Sequence, residues 1–167
     1  MADAKVAKPK NDAAATAGRE IVITRVFDAR REMIWDAWTD PKQIVKWWGP
    51  RGFTLTVHHM DVRPGGLWRS TMHAPDGAEY RNDCVFTEVV KPERIAYLTG
   101  LWTAEGDANA EVSWTFEAQG ENTKLTLHIL FPTAEARDRA ARTYKVMEGG
   151  NGTLDRLGEL LGKRILR

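Results

Sequence analysis

The chain has a single cysteine, Cys84. No internal disulfide can form, and a lone thiol fits a reducing compartment such as the cytoplasm. Long apolar runs are missing as well. Nothing approaches the roughly 20 residues of a membrane span, and the first residues contain no apolar stretch of the secretory kind. Charge of one sign is also lacking: the formal net charge is +1. Lys5, Lys8, Lys10 and Arg19 outnumber Asp3 and Asp12 by two, so the chain beyond residue 19 carries one excess negative charge. That balance lacks the electrostatic footprint of a nucleic-acid partner. His58, His59, His73 and His128 stand at no metal-ligand spacing from one another or from an acid or cysteine, so no metal is expected. His58 and His59, adjacent on a strand, are expected to point to opposite faces. No Gly-x-Ser-x-Gly elbow, phosphate loop or dinucleotide fingerprint occurs, so no cofactor is expected.

Aromatic residues, by contrast, are plentiful. Seven Trp in 167 residues exceed what a minimal core of this size requires, and this is the first hint of a lined interior space. Ordinary cores use Trp too, so composition alone does not decide between the two. The length suits one domain, which buries about two thirds of its unfolded surface without a staple. Residues 1–18 are small and polar with no apolar period and read as a disordered tail; residues 19–167 form the single domain.

Glu20–Phe27 alternates and is rich in β-branched residues, which predicts a strand. Asp28 is placed to cap a short helix with Met33, Ile34, Ala37 and Trp38 on one face. Asp40 caps a second helix, with Pro41 at its first position, that runs to Trp47-Trp48 and stops at Gly49-Pro50. A meander follows: Thr54–Val62, Leu67–His73, Glu79–Val90, Arg94–Leu101, Glu111–Glu117 and Lys124–Phe131. Pro64-Gly65-Gly66, Pro75-Asp76-Gly77 and Gln119-Gly120 supply the turns. Strands joined this tightly are antiparallel. Val112, Trp114 and Phe116 face inward, as do Leu125, Leu127, Ile129 and Phe131, and Trp68, Ser70 and Met72 form another inward set. In Glu79–Val90 two sets compete, Tyr80, Cys84 and Phe86 against Val85 and Val89. An open sheet edge would admit a homodimer.

Thr133 caps a final helix running to about Lys163. Its inward stripe reads Ala136, Ala140, Tyr144, Met147, Asn151, Leu154, Leu157 or Gly158, Leu161 and Ile165. The first half is light, with Gly149, Gly150 and Gly152 that either relieve crowding or bend the helix; the second is leucine-rich. The first half is therefore expected to roof a cavity and the second to seal the core.

Several segments carry a resemblance. They are Arg25-Val-Phe-Asp-Ala, Ile34-Trp-Asp-Ala-Trp-Thr-Asp-Pro41, Trp47-Trp-Gly-Pro50, Arg63-Pro-Gly-Gly-Leu-Trp68, Pro75-Asp-Gly77, Lys91-Pro-Glu-Arg94 and Thr153-Leu-Asp-Arg-Leu157. In this order, over about residues 20–162, they resemble single-domain homologues of the activator of the ninety-kilodalton heat-shock protein ATPase. That family lies within the START-like, birch-pollen-allergen-like (SRPBCC) superfamily. The resemblance implies an α+β helix-grip fold: a curved antiparallel sheet of about seven strands wrapped on a long C-terminal helix, with an internal cavity between them. The chain departs from relatives at Gly150-Asn151, where they carry Gly-Trp, and at Cys84, where Gly is common. Asn151 is expected to open space under the roof helix and add a polar handle, and Cys84 to narrow the opposite wall.

The candidates for lining that cavity are Trp68, Met72, Cys84, Tyr97, Trp102, Trp114, Phe116, Tyr144, Met147 and Asn151. Each is as well explained by plain core packing, and an inert buried thiol is the simpler account of Cys84. Three functions stay open. The first is a cytoplasmic carrier, sensor or sequestering protein for a small hydrophobic molecule such as a lipid or polyketide. The second is an enzyme of the cyclase or hydratase type, which needs at least two ionisable groups facing one apolar space; catalytic residues for it are not identifiable. The third is a stress-response module that binds a chaperone, which requires an exposed docking surface and usually a second domain.

Overall fold

A computed structural model of the chain describes residues 16–100 and 109–165. Trp102, the side chain of Ile165 and the tail up to residue 15 lie outside the described residues and side chains. The elements, in chain order, are β1 (Glu20–Phe27), α1 (Arg31–Thr39), α2 (Pro41–Ile44), β2 (Thr54–Met60), β3 (Leu67–His73), β4 (Glu79–Val90), β5 (Arg94–Gly100), β6 (Asn109–Gln119), β7 (Asn122–Leu130), α3 (Ala134–Arg142) and α4 (Val146–Ile165). The seven strands form one antiparallel sheet in the order β1-β7-β6-β5-β4-β3-β2. The two short helices thus carry the chain from one sheet edge to the other, and the helix-grip architecture is present. No helix among the described residues is long and apolar enough to cross a membrane.

Register converts alternation into a continuous inner face. Ile21, Ile129, Val112 and Tyr97 stand opposite one another across β1, β7, β6 and β5, and Ile23, Leu127, Trp114 and Ile95 form the next row. Both sets that compete in β4 are used. Asn82, Cys84 and Phe86 are buried and Val85 is exposed. A bulge between Phe86 and Glu88 then reverses the alternation, so that Val89 lies opposite Ile95 and packs on the core.

Four local expectations need correction. Asp28 does not cap α1: the cap position is Arg30, whose side chain makes no capping bond. The chain before it is held by a tertiary contact instead, Thr123 Oγ1 donating to the carbonyl of the buried Ala29 at 2.7 Å. Asp40 does cap α2, its carboxylate accepting from the Lys42 N–H. The second correction concerns His58 and His59, which are both exposed, because the register shifts between Val57 and His59. The third lies at the tail boundary: Thr16 is already buried, and its Oγ1 donates to Glu20 at 2.7 Å.

The fourth is the largest. The final helix is two helices, α3 and α4, parted at Thr143–Lys145, with Lys145 in the left-handed region at φ 50°. No Gly or Pro marks the break. A non-glycine residue there costs roughly 1–2 kcal/mol, and the burial of Val146 just beyond the break works against that cost. The break resets the helix phase: Val146 is buried, and Met147 is 38% exposed.

Candidate functional site

α4 is light where it crosses the sheet. Val146, Gly149, Gly150 and Thr153, spaced as one helix face, roof a cavity of about 280 Å³. The glycines mark close approach. A Cβ on Gly150 would stand 2.6 Å from Ile23 Cδ1, and one on Gly149 3.2 Å from Pro50 Cγ. They let α4 lie near β1 and the loop after α2, and the helix runs through them unbroken. The floor and walls are Met72, Tyr80, Asn82, Tyr97 and Thr99 from β3–β5, and Val112, Trp114, Leu127 and Ile129 from β6–β7. Trp48, Gly49, Pro50 and Phe53 close one side. Of the lining residues, Thr143 and Lys145 at the helix break are exposed, which puts the mouth there.

The Trp48–Phe53 wall is loop, so its carbonyls lack a strand partner. Arg156 of α4 supplies donors. Its Nη1 lies 3.3, 3.0, 3.2 and 3.1 Å from the carbonyls of Trp48, Gly49, Pro50 and Phe53, and Nη2 lies 3.3 Å from that of Lys46. Arg51, on the same loop, pairs with Glu159 one turn along α4. Gly49, at φ 104°, provides the left-handed turn that sends Trp48 inward.

Beneath the cavity lies an aromatic bed. Trp48 meets Trp68 and Trp114 at ring distances of 5.0 and 5.5 Å. Trp38 sits under them with Trp68 at 5.2 Å and Tyr97 at 6.0 Å. Trp47 packs edge-on against Trp48 and Trp114 at 5.5 and 6.2 Å and donates to the Ala37 carbonyl at 2.9 Å.

One wall is polar although buried. Asn82 Nδ2 donates to Ser70 Oγ at 3.3 Å, and Asn82 Oδ1 accepts from Cys84 Sγ at 3.5 Å and Thr99 Oγ1 at 3.4 Å. Nearby, Trp114 Nε1 donates to the Tyr97 hydroxyl at 3.2 Å. Burial holds the Tyr97 hydroxyl well above its ordinary pKa and pushes the Cys84 thiol up to about 12, so both are neutral at pH 7. A thiol that stays protonated is no nucleophile.

Of the candidates named from sequence, Met72, Tyr97, Trp114 and Tyr144 border the cavity. The other described ones do not. Trp68 is fully buried below Trp48. Phe116 packs on Trp35 at 5.3 Å under α1. Cys84 lies behind Asn82. Met147 is turned out by the helix break. Asn151 faces away from the roof, accepting from Arg25 Nη2 at 3.0 Å and donating to the Met147 carbonyl, so it opens no space beneath α4. The sequence reading missed Trp48, Asn82 and Thr99. Asn82 had a signal: it falls between Tyr80 and Cys84 in one of the two competing sets.

The histidines lie elsewhere. His58 and His73 bond Thr71 and Thr56 across β2 and β3, each at 2.9 Å, and His128 pairs with Glu20. Among the described residues, no three His, Cys, Asp or Glu side chains gather into a metal-holding group.

Solved structures share this architecture. Protein Ms6760 from Mycobacterium smegmatis is 28% identical, with a TM-score of 0.80 over 89% of this chain and 94% of that one. A protein from Arthrobacter aurescens is 23% identical, with a TM-score of 0.80 over 89% and 88%. The AHSA1 protein from Silicibacter pomeroyi is 21% identical, with a TM-score of 0.72 over 87% and 99%. No curated protein matches in sequence. Residues 28–162, most of the sheet together with its roof, match the family described as Activator of Hsp90 ATPase homolog 1-like protein, and the chain belongs to that family.

Proposed function

We propose that this protein holds a small hydrophobic or aromatic molecule in the cavity under α4, as a cytoplasmic carrier or sensor. The observation that carries this reading is the cavity itself: about 280 Å³, mostly apolar walls with one polar side, and a roof of small residues. Pockets that bind small molecules combine these same features.

A catalytic reading needs paired ionisable groups in one apolar space. Among the described lining residues, the acid–base inventory is Lys145 at the mouth and three tyrosines. That set favours binding over turnover. Protein purified from its own host and analysed by native mass spectrometry should carry a stoichiometric small molecule, released and identified after denaturation. Protein that is empty and takes up no added hydrophobic fluorophore would end the binding reading.

A further inference from the structure

The buried polar wall has an uneven balance of donors and acceptors. Asn82 Oδ1 already accepts twice, and the Tyr97 oxygen already accepts from Trp114. Each side chain keeps one hydrogen with no acceptor among the described residues: the second amide proton of Asn82 and the hydroxyl proton of Tyr97. Both residues are at least nine-tenths buried, at 5% and 4% exposure, and both line the cavity. A buried donor left unmatched is costly, so these two protons call for an acceptor inside the cavity. Among the described residues that line the cavity, no cation stands with them. Lys145, the one basic lining residue among those described, sits at the exposed mouth. An anion seated at the wall would lose its hydration and find no counter-charge.

We propose that the ligand is an uncharged molecule with a flat apolar body and one hydrogen-bond-accepting oxygen, a ketone or ester, docked on the donors of Tyr97 and Asn82. This rests on the binding reading above and specifies its chemistry. The apolar body lies over Trp48 and Trp114, against Val112, Leu127 and Ile129 on the other wall.

Three probes of one shape test it: 2-ethylnaphthalene, 2-acetylnaphthalene and 2-naphthoate, each measured by equilibrium dialysis with the full chain. The acetyl compound should bind tightest once each is corrected for its partitioning into hydrocarbon. Tyr97→Phe or Asn82→Ala should weaken it by up to roughly tenfold, leaving the ethyl compound unchanged. Thermal melts check that the variants fold, and the wild-type ranking tests the idea without them. Equal corrected affinities, or an acetyl preference untouched by both variants, would overturn the proposal while leaving the cavity a binding site. Tightest binding of the carboxylate, abolished by Lys145→Gln, would overturn it in favour of an anion held at the mouth. Failure of all three to bind would remove both this inference and the binding reading.

Discussion

The two ends of α4 share one helix and one sheet yet do opposite things. Its C-terminal half presents Leu154, Leu157 and Leu161, all buried, and closes the core. Its N-terminal half presents Val146, Gly149, Gly150 and Thr153 and leaves a hollow. The difference teaches that the light half trades bulk for close approach: Gly149 and Gly150 bring the helix near Pro50 and Ile23, and the cavity lies beside those contacts.

The strongest way to break this contrast is to remove the bed that separates hollow from core. Trp38 is fully buried and lies 5.2–6.2 Å from the rings of Trp48, Trp68, Phe86, Tyr97 and Trp114. Trp38→Ala should cost about 4 kcal/mol in urea denaturation, or abolish folding.

Next comes the clamp between hollow and loop. Arg156→Met removes the guanidinium from the carbonyls of Trp48, Gly49 and Phe53, whereas the Pro50 carbonyl keeps the Phe53 N–H. The substitution should cost about 2 kcal/mol and weaken uptake of a neutral fluorophore. Arg156→Lys should recover only part of this, because an ammonium cannot span the five carbonyls the planar guanidinium reaches. Full recovery by lysine would show that charge alone holds the loop.

The glycines sharpen the comparison further. Gly162 has nothing within 4 Å of an added Cβ, whereas at Gly150 that Cβ would meet Ile23 Cδ1. Gly162→Ala should stabilise by about 0.5–1 kcal/mol through helix propensity. Gly150→Ala should destabilise by about 1 kcal/mol despite the same propensity gain, because it overpacks the face against β1. Adding Ile23→Val, which deletes Cδ1, should restore most of that loss. Matching effects at the two glycines would mean that close approach does not explain Gly150.

The smallest effect lies at the sheet edge beside α3. Hydrogen bonds from His128 and Thr16 hold the Glu20 carboxyl below its ordinary range. A depressed carboxylate pKa contributes stability above the unfolded pKa of about 4.3, and that contribution is lost as pH falls through the folded value. Glu20→Gln should lower stability at pH 7 by under about 1 kcal/mol. The difference from wild type should vanish in acid, as read from melting temperatures across pH. A difference independent of pH would assign the loss to packing.

Much of the fold was legible in the sequence. The alternation of Val112-Trp114-Phe116 and Leu125-Leu127-Ile129 named the inner face, the Gly and Pro pairs named the turns, and the change from leucine to glycine named the hollow half of the roof. The site was less legible. Trp68 and Trp114 read alike as inward strand residues, yet Trp114 borders the cavity and Trp68 lies beneath Trp48. Met147 and Asn151 were placed inward by extending one helical phase through Lys145, where the chain breaks it.

The sequence by itself determined periodicity, strand polarity and where bulk is missing, because these follow from local backbone preferences and side-chain size. Only the tertiary structure decided which face of β4 looks inward on each side of its bulge, where the final helix parts, and which aromatics touch the hollow. Each of those turns on contacts between residues far apart in the chain, such as Arg156 with the Trp48–Phe53 loop, and no local pattern encodes them.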